Sequence, residues 1–454
     1  MTDISRRTLI STPGRLAAAA ALGGLSSRIL GANDTVNTAV IGIGGRGRGH
    51  VGYFAKQARC RIAAVCDVNQ AARERAIAQV EKLQGHKPKA YSDMRQLFDD
   101  KEIDAVSVAT PNHWHALATI WGCQAGKDVY VEKPACHNVW EGLRMIDAAR
   151  KYQRMVQVGS QSRSTAVKIK AIQLIEQGVI GKVFMVKGLC YKWRPSIGHT
   201  PEIPTPPGID WDLFRGPAPM RPYSENRFRY NWHWFWDTGN GDLGNQGVHE
   251  VDICLWGLGE LGMPKSVDST GGKYLYEDDQ ETPNTQSATF DYGDRRVTFE
   301  VRGLHTGTES DVAYEGGNIV GNIFYGSEGY LAVDPAGFRV FKGRNCPASA
   351  WEPSSCRREK VMEEKAVGPE GGYDSTAHFG TFIKAVRSRN PKDLTAGVEV
   401  GVKAAALCHL ANISYRLNRR LAFDPVMWEF IGDAEANRML TREYRAPYIV
   451  PSKV

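Results

Sequence analysis

The sequence predicts an α/β chain in two parts. A doubly wound parallel α/β domain comes first, and an α+β domain built on an open antiparallel sheet follows. Three observations carry this. Short apolar runs alternate with helical patterns between residues 36 and 158, the rhythm of a parallel sheet with crossover helices. From Val183 onward, strand-like runs succeed one another with turn signals and no regular helices between them. The chain's 454 residues also exceed one ordinary hydrophobic core.

In chain order, Val36 to Ile43 is an apolar run ending in glycines. Ile62 to Cys66 is a second strand, closed by Asp67, and Ala71 to Leu83 has helical spacing. Ile103 to Ala109 is a buried strand stopped by Pro111, and Ala116 to Ala125 is a helix closed by Gly126. Val129 to Val131 runs into Glu132-Lys133-Pro134; Trp140 to Tyr152 is helical; Met155 to Val158 is the last strand of the first domain. Lys168 to Gln177 is then helical. Strands are predicted at Val183 to Tyr191, Ser266 to Tyr274, Gln286 to Tyr292, Val297 to Arg302, Ile319 to Tyr325, Tyr330 to Val333 and Phe338 to Phe341. A Pro/Trp/Tyr-rich insertion spans Trp193 to Trp236, and helices follow at Thr381 to Val386 and Val398 to Leu417. The resulting division is a leader at 1–32, the first domain at 35–158, the second at 159–425 and a tail at 426–454.

The leader reads Ser5-Arg6-Arg7-Thr8-Leu9-Ile10, with Leu16 and the run Ala17 to Ala21 behind it and small residues near Leu30-Gly31-Ala32. That is the grammar of a secretory signal, and the paired arginines fit the twin-arginine route, so a periplasmic or exported location is expected. The alternative is an N-terminal arm with a chance arginine pair. No apolar run reaches the ~18 residues of a membrane span. The formal charge of +7 is dispersed, with no block of like charges that would argue for nucleic acid. Most of the nine cysteines sit in apolar segments and read as core residues. Cys346 and Cys356 lie in a polar stretch, where an exported protein could form a local disulfide. No CxxC or HExxH spacing appears, so no metal site is predicted.

Four stretches carry chemistry. The first is Gly42-Ile43-Gly44-Gly45-Arg46-Gly47 behind a strand, with Asp67 twenty positions beyond Gly47. This is the Rossmann dinucleotide fingerprint. Gly42 allows the turn, Gly44 and Gly45 let backbone approach a pyrophosphate, and Gly47 seats the helix. Asp67 accepts the ribose hydroxyls and repels a 2′-phosphate, which favours NAD. Arg46 and Arg48 pull the other way, since a nearby arginine accommodates that phosphate. The second is Thr110-Pro111-Asn112-His113-Trp114-His115 at a strand's carboxyl end. Thr110, Pro111 and Asn112 would line the cofactor groove. His113 and His115 either touch the nicotinamide side or substrate, or seat the following helix. In the third, Glu132-Lys133-Pro134, a lysine is delivered to the same crevice, with Glu132 positioning it. A lysine there can hold a hydroxyl and stabilise a forming alkoxide. The fourth is the glycine-rich run Gly239 to Gly247 entering Val248-His249-Glu250-Val251-Asp252. His249 can accept a proton at neutral pH, and Asn245, four residues earlier, shares its face.

Together these stretches resemble the Gfo/Idh/MocA family of nicotinamide-dependent sugar oxidoreductases, over most of the chain after the leader. The segment Cys408 to Leu417 also looks like a helix of its exported members. The resemblance implies catalytic roles for Lys133 and His249. The family often has Asp four positions before the histidine; Asn245 stands here and cannot take a proton. It further implies oxidation of a ring hydroxyl of a sugar or glycoside, with hydride passing to NAD. An exported chain has no free pool of that cofactor, so a redox-neutral alternative is a close second: an NAD-dependent glycosidase working by C3 oxidation, elimination and re-reduction. A binding protein that kept the fold is a third reading, opposed by the intact lysine and histidine. Among the insertion's aromatics, Trp232 and Trp236 are candidates for sugar contact, and Tyr191 for a further acid or base. A homo-oligomer through the C-terminal sheet is expected.

Overall fold

A computed structural model of the protein describes residues 34–304, 319–343, 358–366 and 375–454. The leader and the Cys346–Cys356 pairing lie outside the described residues.

The first domain runs β1 (Val36–Ile41), α1 (Arg46–Ala55), β2 (Cys60–Cys66), α2 (Gln70–Gln84), β3 (Lys89–Tyr91), α3 (Met94–Asp99), β4 (Ala105–Val108), α4 (Asn112–Gln124), β5 (Asp128–Val131), α5 (Val139–Lys151) and β6 (Val156–Val158). Its sheet has the order β3-β2-β1-β4-β5-β6 and is parallel throughout. The chain reverses direction of growth between β1 and β4, which opens a crevice at the strands' carboxyl ends. β4, β5 and β6 are buried at every position, as a sheet covered on both faces requires. β3 escaped the sequence reading because it is a polar three-residue edge, Lys-Ala-Tyr.

The second domain comprises α6 (Ala166–Glu176), β7 (Val183–Tyr191), α7 (Trp211–Arg215), α8 (Val248–Gly257), β8 (Ser266–Gly272), β9 (Thr285–Asp291), β10 (Arg296–Arg302), β11 (Ile319–Gly326), β12 (Gly329–Asp334), β13 (Gly337–Gly343), β14 (Arg358–Lys365), α9 (Ser375–Ser388), α10 (Val398–Leu417), β15 (Leu421–Asp424), β16 (Glu429–Phe430) and α11 (Ala434–Arg438). Ten strands join in the order β14-β13-β12-β11-β7-β10-β9-β8-β15-β16. The sheet is mixed rather than purely antiparallel, because β7 and β10 pair in parallel. The insertion, α8 and the β8–β9 hairpin lie between those two strands in the chain, ample length for the crossover that a parallel pair needs.

The predicted division at 158 does not separate two cores. Phe379 and Phe382 of α9 pack with Phe54 and Tyr130 of the first domain. A Cβ on Gly401 of α10 would meet Val158 at 2.5 Å, and one on Gly142 of α5 would meet Val402 at 2.6 Å. The segment 426–454 is equally tied in: Trp140 N donates to Leu440 O at 2.9 Å, and Tyr448 packs edge-on against Trp114. Among the described residues, no helix is long and apolar enough to cross a membrane.

Candidate active site

A cleft of about 1260 Å³ runs from the carboxyl edge of the parallel sheet to the inner end of β7 and the insertion. Its floor begins at the glycine loop. Gly42 has φ +82, and a Cβ there would strike the Ala109–Thr110 backbone at 2.7 Å. A Cβ on Gly47 would lie 1.9 Å from Gly42 O, so only glycine lets α1 close onto β1. At Gly44 and Gly45 an added Cβ meets nothing within 4 Å; these two line the cleft itself. The start of α1 has no side-chain cap, which leaves main-chain N–H groups to offer an anion. At the end of β2, Asp67 accepts from Ile43 N at 2.6 Å and Asn69 N at 2.8 Å. Burial pushes its carboxyl pKa upward, against those hydrogen bonds. The open face over the glycines, the free helix end and the acid on the adjoining strand fit a dinucleotide.

Glu132 is a buried anchor. Its Oε1 accepts from Arg46 Nε at 2.9 Å, His50 Nε2 at 2.9 Å and Gln161 Nε2 at 3.1 Å, while Oε2 accepts from Lys133 N at 3.2 Å. The neighbouring Arg46 and His50 hold it well below the usual carboxylate range, against its burial. With its Nε2–H committed to this carboxylate, His50 receives the Ser107 hydroxyl at Nδ1, 2.6 Å away. Burial keeps the His50 pKa low. Glu132 therefore ties α1 to β5 and fixes the Lys133 backbone rather than its ammonium. Arg46, the arginine that could have accommodated a 2′-phosphate, is engaged with Glu132.

His115 contacts both neighbouring loops, with Nδ1 2.7 Å from Pro134 O and Nε2 2.8 Å from Thr110 O. It clasps the Thr-Pro-Asn-His turn to the cis Lys133–Pro134 segment. Lys133 Nζ then reaches across the domains to Asn245, donating to its main-chain oxygen at 2.7 Å and to Oδ1 at 3.2 Å. Burial pulls the Lys133 pKa down to about 8; Glu132 opposes this and Arg46 and Lys192 add to it.

Asn245 sits in a π-helical turn, Leu243–Gly247, that feeds α8. Glycine is needed there because a Cβ at Gly247 would enter the Phe299 ring at 2.6 Å. His249 follows in the first turn of α8 and lines the same cleft as Lys133. Burial, reinforced by the Lys133 charge, holds its imidazole well below the ordinary value, so it is neutral and able to accept a proton. Asn245 Nδ2 also donates to Tyr230 Oη at 3.0 Å, and Trp232 stacks on His233 with centroids 3.6 Å apart.

The structure thus gathers Gly42, Gly44, Gly45, Arg46, Asp67, Thr110, Pro111, Asn112, His115, Glu132, Lys133, Trp232, Asn245 and His249 along one cleft. It leaves four predicted residues outside it: Gly47, which packs α1 against the Gly42 carbonyl, and three side chains. His113 is buried, its ring facing Phe214 O at 2.9 Å and Thr238 O at 3.4 Å, so it seats α4 instead of meeting substrate. Trp236 lies under the Arg416 guanidinium at 5.2 Å. Tyr191 donates to Glu300 Oε2 at 3.0 Å and packs with Leu189 and Ile323 on the other face of β7. Strand alternation places Lys192 and Arg194 where Tyr191 was expected; both line the cleft. That period-two signal was present in Tyr191-Lys192-Trp193-Arg194 and went unused. Among the described residues, no group of His, Cys, Asp or Glu side chains is arranged to hold a metal ion.

Comparison with known proteins agrees with this layout. Residues 36–160 match a family model described as an oxidoreductase family with an NAD-binding Rossmann fold. Residues 169–331 match the GFO/IDH/MocA C-terminal domain, and residues 370–450 the oxidoreductase family's C-terminal alpha/beta domain. A glycosyl hydrolase family 109 protein of Shewanella sp. (strain W3-18-1) is 30% identical over 154 residues, 33% of this chain and 34% of that protein. An alpha-N-acetylgalactosaminidase of Shewanella oneidensis is 29% identical over the same length and shares. The match therefore spans about a third of these relatives' length. Among solved structures, a levoglucosan dehydrogenase in complex with NADH and levoglucosan superposes with TM-score 0.63 at 18% identity, covering 86% of this chain and 99% of that one. The WlbA dehydrogenase from Chromobactrium violaceum, in complex with NADH and UDP-GlcNAcA, gives 0.62 at 19%, covering 87% and 97%. At these identities the likeness is one of fold.

Proposed function

Because the chain belongs to the Gfo/Idh/MocA oxidoreductase family, we propose that it oxidises a ring hydroxyl of a sugar or glycoside, with Lys133 and His249 as its catalytic residues. The observation that carries this is the meeting of Lys133, from the NAD-binding domain, with the Asn245 turn that presents His249. When bound, NAD supplies the hydride acceptor. Lys133 holds the substrate hydroxyl and stabilises negative charge on its oxygen. His249 takes the proton at its neutral imidazole. The lysine and histidine carry one proton between them more readily than two, which suits a site that must release a proton each turnover. Asn245 orients the hydroxyl and the Lys133 ammonium but takes no proton.

A second reading is favoured by the glycosyl hydrolase names of the relatives matched over 154 residues. In it the same groups cleave a glycoside with no net redox change. The leader supports export by the twin-arginine route with the cofactor already bound, and the proposal extends to a homo-oligomer through the C-terminal sheet. Incubating purified protein with chromogenic glycosides and no added cofactor separates the two chemistries. Released aglycone supports cleavage; NADH without aglycone supports net oxidation. Neither signal from protein shown by mass spectrometry to retain NAD would sink both.

A further inference from the structure

On the substrate side of the cleft the charge is one-sided. Lys192 Nζ donates to Gln246 Oε1 at 2.5 Å, one residue beyond the Asn245 that holds Lys133. Among the described residues neither ammonium has a carboxylate partner; each rests on amide oxygens. Arg194 is paired, gripping the buried Asp242 through Nε at 3.1 Å and a terminal nitrogen at 2.9 Å. Arg229 has Glu225 beside it at 3.5 Å. The carboxylates that do line the cleft, Asp67, Asp93 and Glu132, all belong to the cofactor domain. Glu132 and Asp242 act on Lys133, and Glu250 on Lys192, without an ion pair to either ammonium, and two half-buried cations in a partly dry pocket repel each other more strongly than in water. Burial is the main cause of the lowered Lys133 pKa, and the Arg46 and Lys192 charges add to it.

Lys192 has no place in the hydroxyl chemistry, which Lys133, Asn245 and His249 already complete. Its chain position is suggestive in another way. It leaves β7 from the second domain, opposite the glycine loop, so its charge is offered to the substrate end of the cleft. An ammonium with one neutral acceptor keeps two N–H donors for a ligand.

We propose that the substrate is an anionic sugar, a ring bearing a carboxylate or a sulfate or phosphate ester, and that Lys192 is the residue that selects it. This rests on the sugar-oxidising reading above and names its substrate class. Pairing the anion with Lys192 relieves the cation repulsion and leaves Lys133 to the reacting hydroxyl.

The test uses NAD-loaded full-length protein and three matched p-nitrophenyl glycosides: a glucoside, its glucuronide and its 6-sulfate. Binding is measured by calorimetry at low and high salt, in wild type, Lys192→Gln and Lys192→Arg. We expect the glucuronide or the sulfate ester to bind at least about tenfold tighter than the glucoside at low salt, and which of the two is preferred identifies the anion. The advantage shrinks with salt, collapses in Lys192→Gln and partly returns in Lys192→Arg. NAD occupancy, read by mass spectrometry, reports whether the variants are folded. Equal binding of all three sugars, or an anion preference that survives in Lys192→Gln, overturns the proposal. Turnover of the neutral glucoside without an anion preference would leave the hydroxyl chemistry standing and remove only this inference. Lys192-dependent binding of the anionic sugar with neither NADH nor aglycone formed would do the reverse.

Discussion

Lys133 carries an ammonium whose pKa is pulled by burial from 10.5 to about 8. Between those values the unfolded chain holds the proton and the folded one does not, so this residue's contribution to stability rises with pH across that window. Below pH about 8 the buried charge is a constant cost. Lys133→Met should therefore abolish turnover while raising the melting temperature at neutral pH by about 1–3 °C, a gain that disappears above pH about 10.5. A fall in melting temperature, or activity within a few-fold of wild type, would contradict both roles. The activity of the native protein should decline as pH rises through about 8, where the cationic form that stabilises an alkoxide is lost. Asp67 closes β2 beside the glycine loop, where it accepts from Ile43 N. Asp67→Ala should weaken NAD binding about tenfold and erase discrimination against NADP, readable by fluorescence titration with the two cofactors. Unchanged discrimination would move specificity to Arg75, which lines the same end of the cleft.

The elements hold these residues through a few close contacts. Arg163, in the turn after β6, is bonded to both oxygens of Asp252 on α8, and both side chains are buried. This pair fixes the helix that carries His249. Asp252→Ala leaves a buried guanidinium short of its partner and should cost about 3–5 kcal/mol, measured by chemical unfolding; a loss under about 1 kcal/mol would show that Glu260, which also meets Arg163, suffices. Gly47→Ala drives a methyl into the Gly42 carbonyl at 1.9 Å. It should lower NAD occupancy and destabilise by about 1–3 kcal/mol. At this scale much of the fold was legible. The strands ending at Asp67, Thr110 and Glu132 announced themselves as apolar runs closed by polar residues. β3 did not, being a three-residue polar edge, nor did the parallel β7–β10 pair, since pairing direction is not written in either strand's own pattern.

At the scale of the whole molecule, the cofactor cleft is closed by parts of the chain far apart in sequence. α9 and α10 return to the first domain, and residues 426–454 lash onto α5 and Trp114. Such a body should be stabilised by its ligand. Stripping retained NAD is expected to lower the melting temperature, and re-addition at a thousandfold excess over Kd to restore roughly 4 kcal/mol; a melting temperature indifferent to NAD would argue against a resident cofactor. By itself the sequence determined the fingerprint and its acid, because each is a residue type at a spacing tied to one local geometry. Lys133 and His249 stood at a strand end and a helix start, and their catalytic roles came from the family resemblance. Only the tertiary structure decided which neighbours share the cleft. It turned Tyr191 away and Lys192 inward, buried His113 against two carbonyls and set Trp236 beneath Arg416. The physical reason is that a side chain's face depends on where its strand or loop is laid against the rest of the chain, and that is fixed by packing between segments hundreds of residues apart.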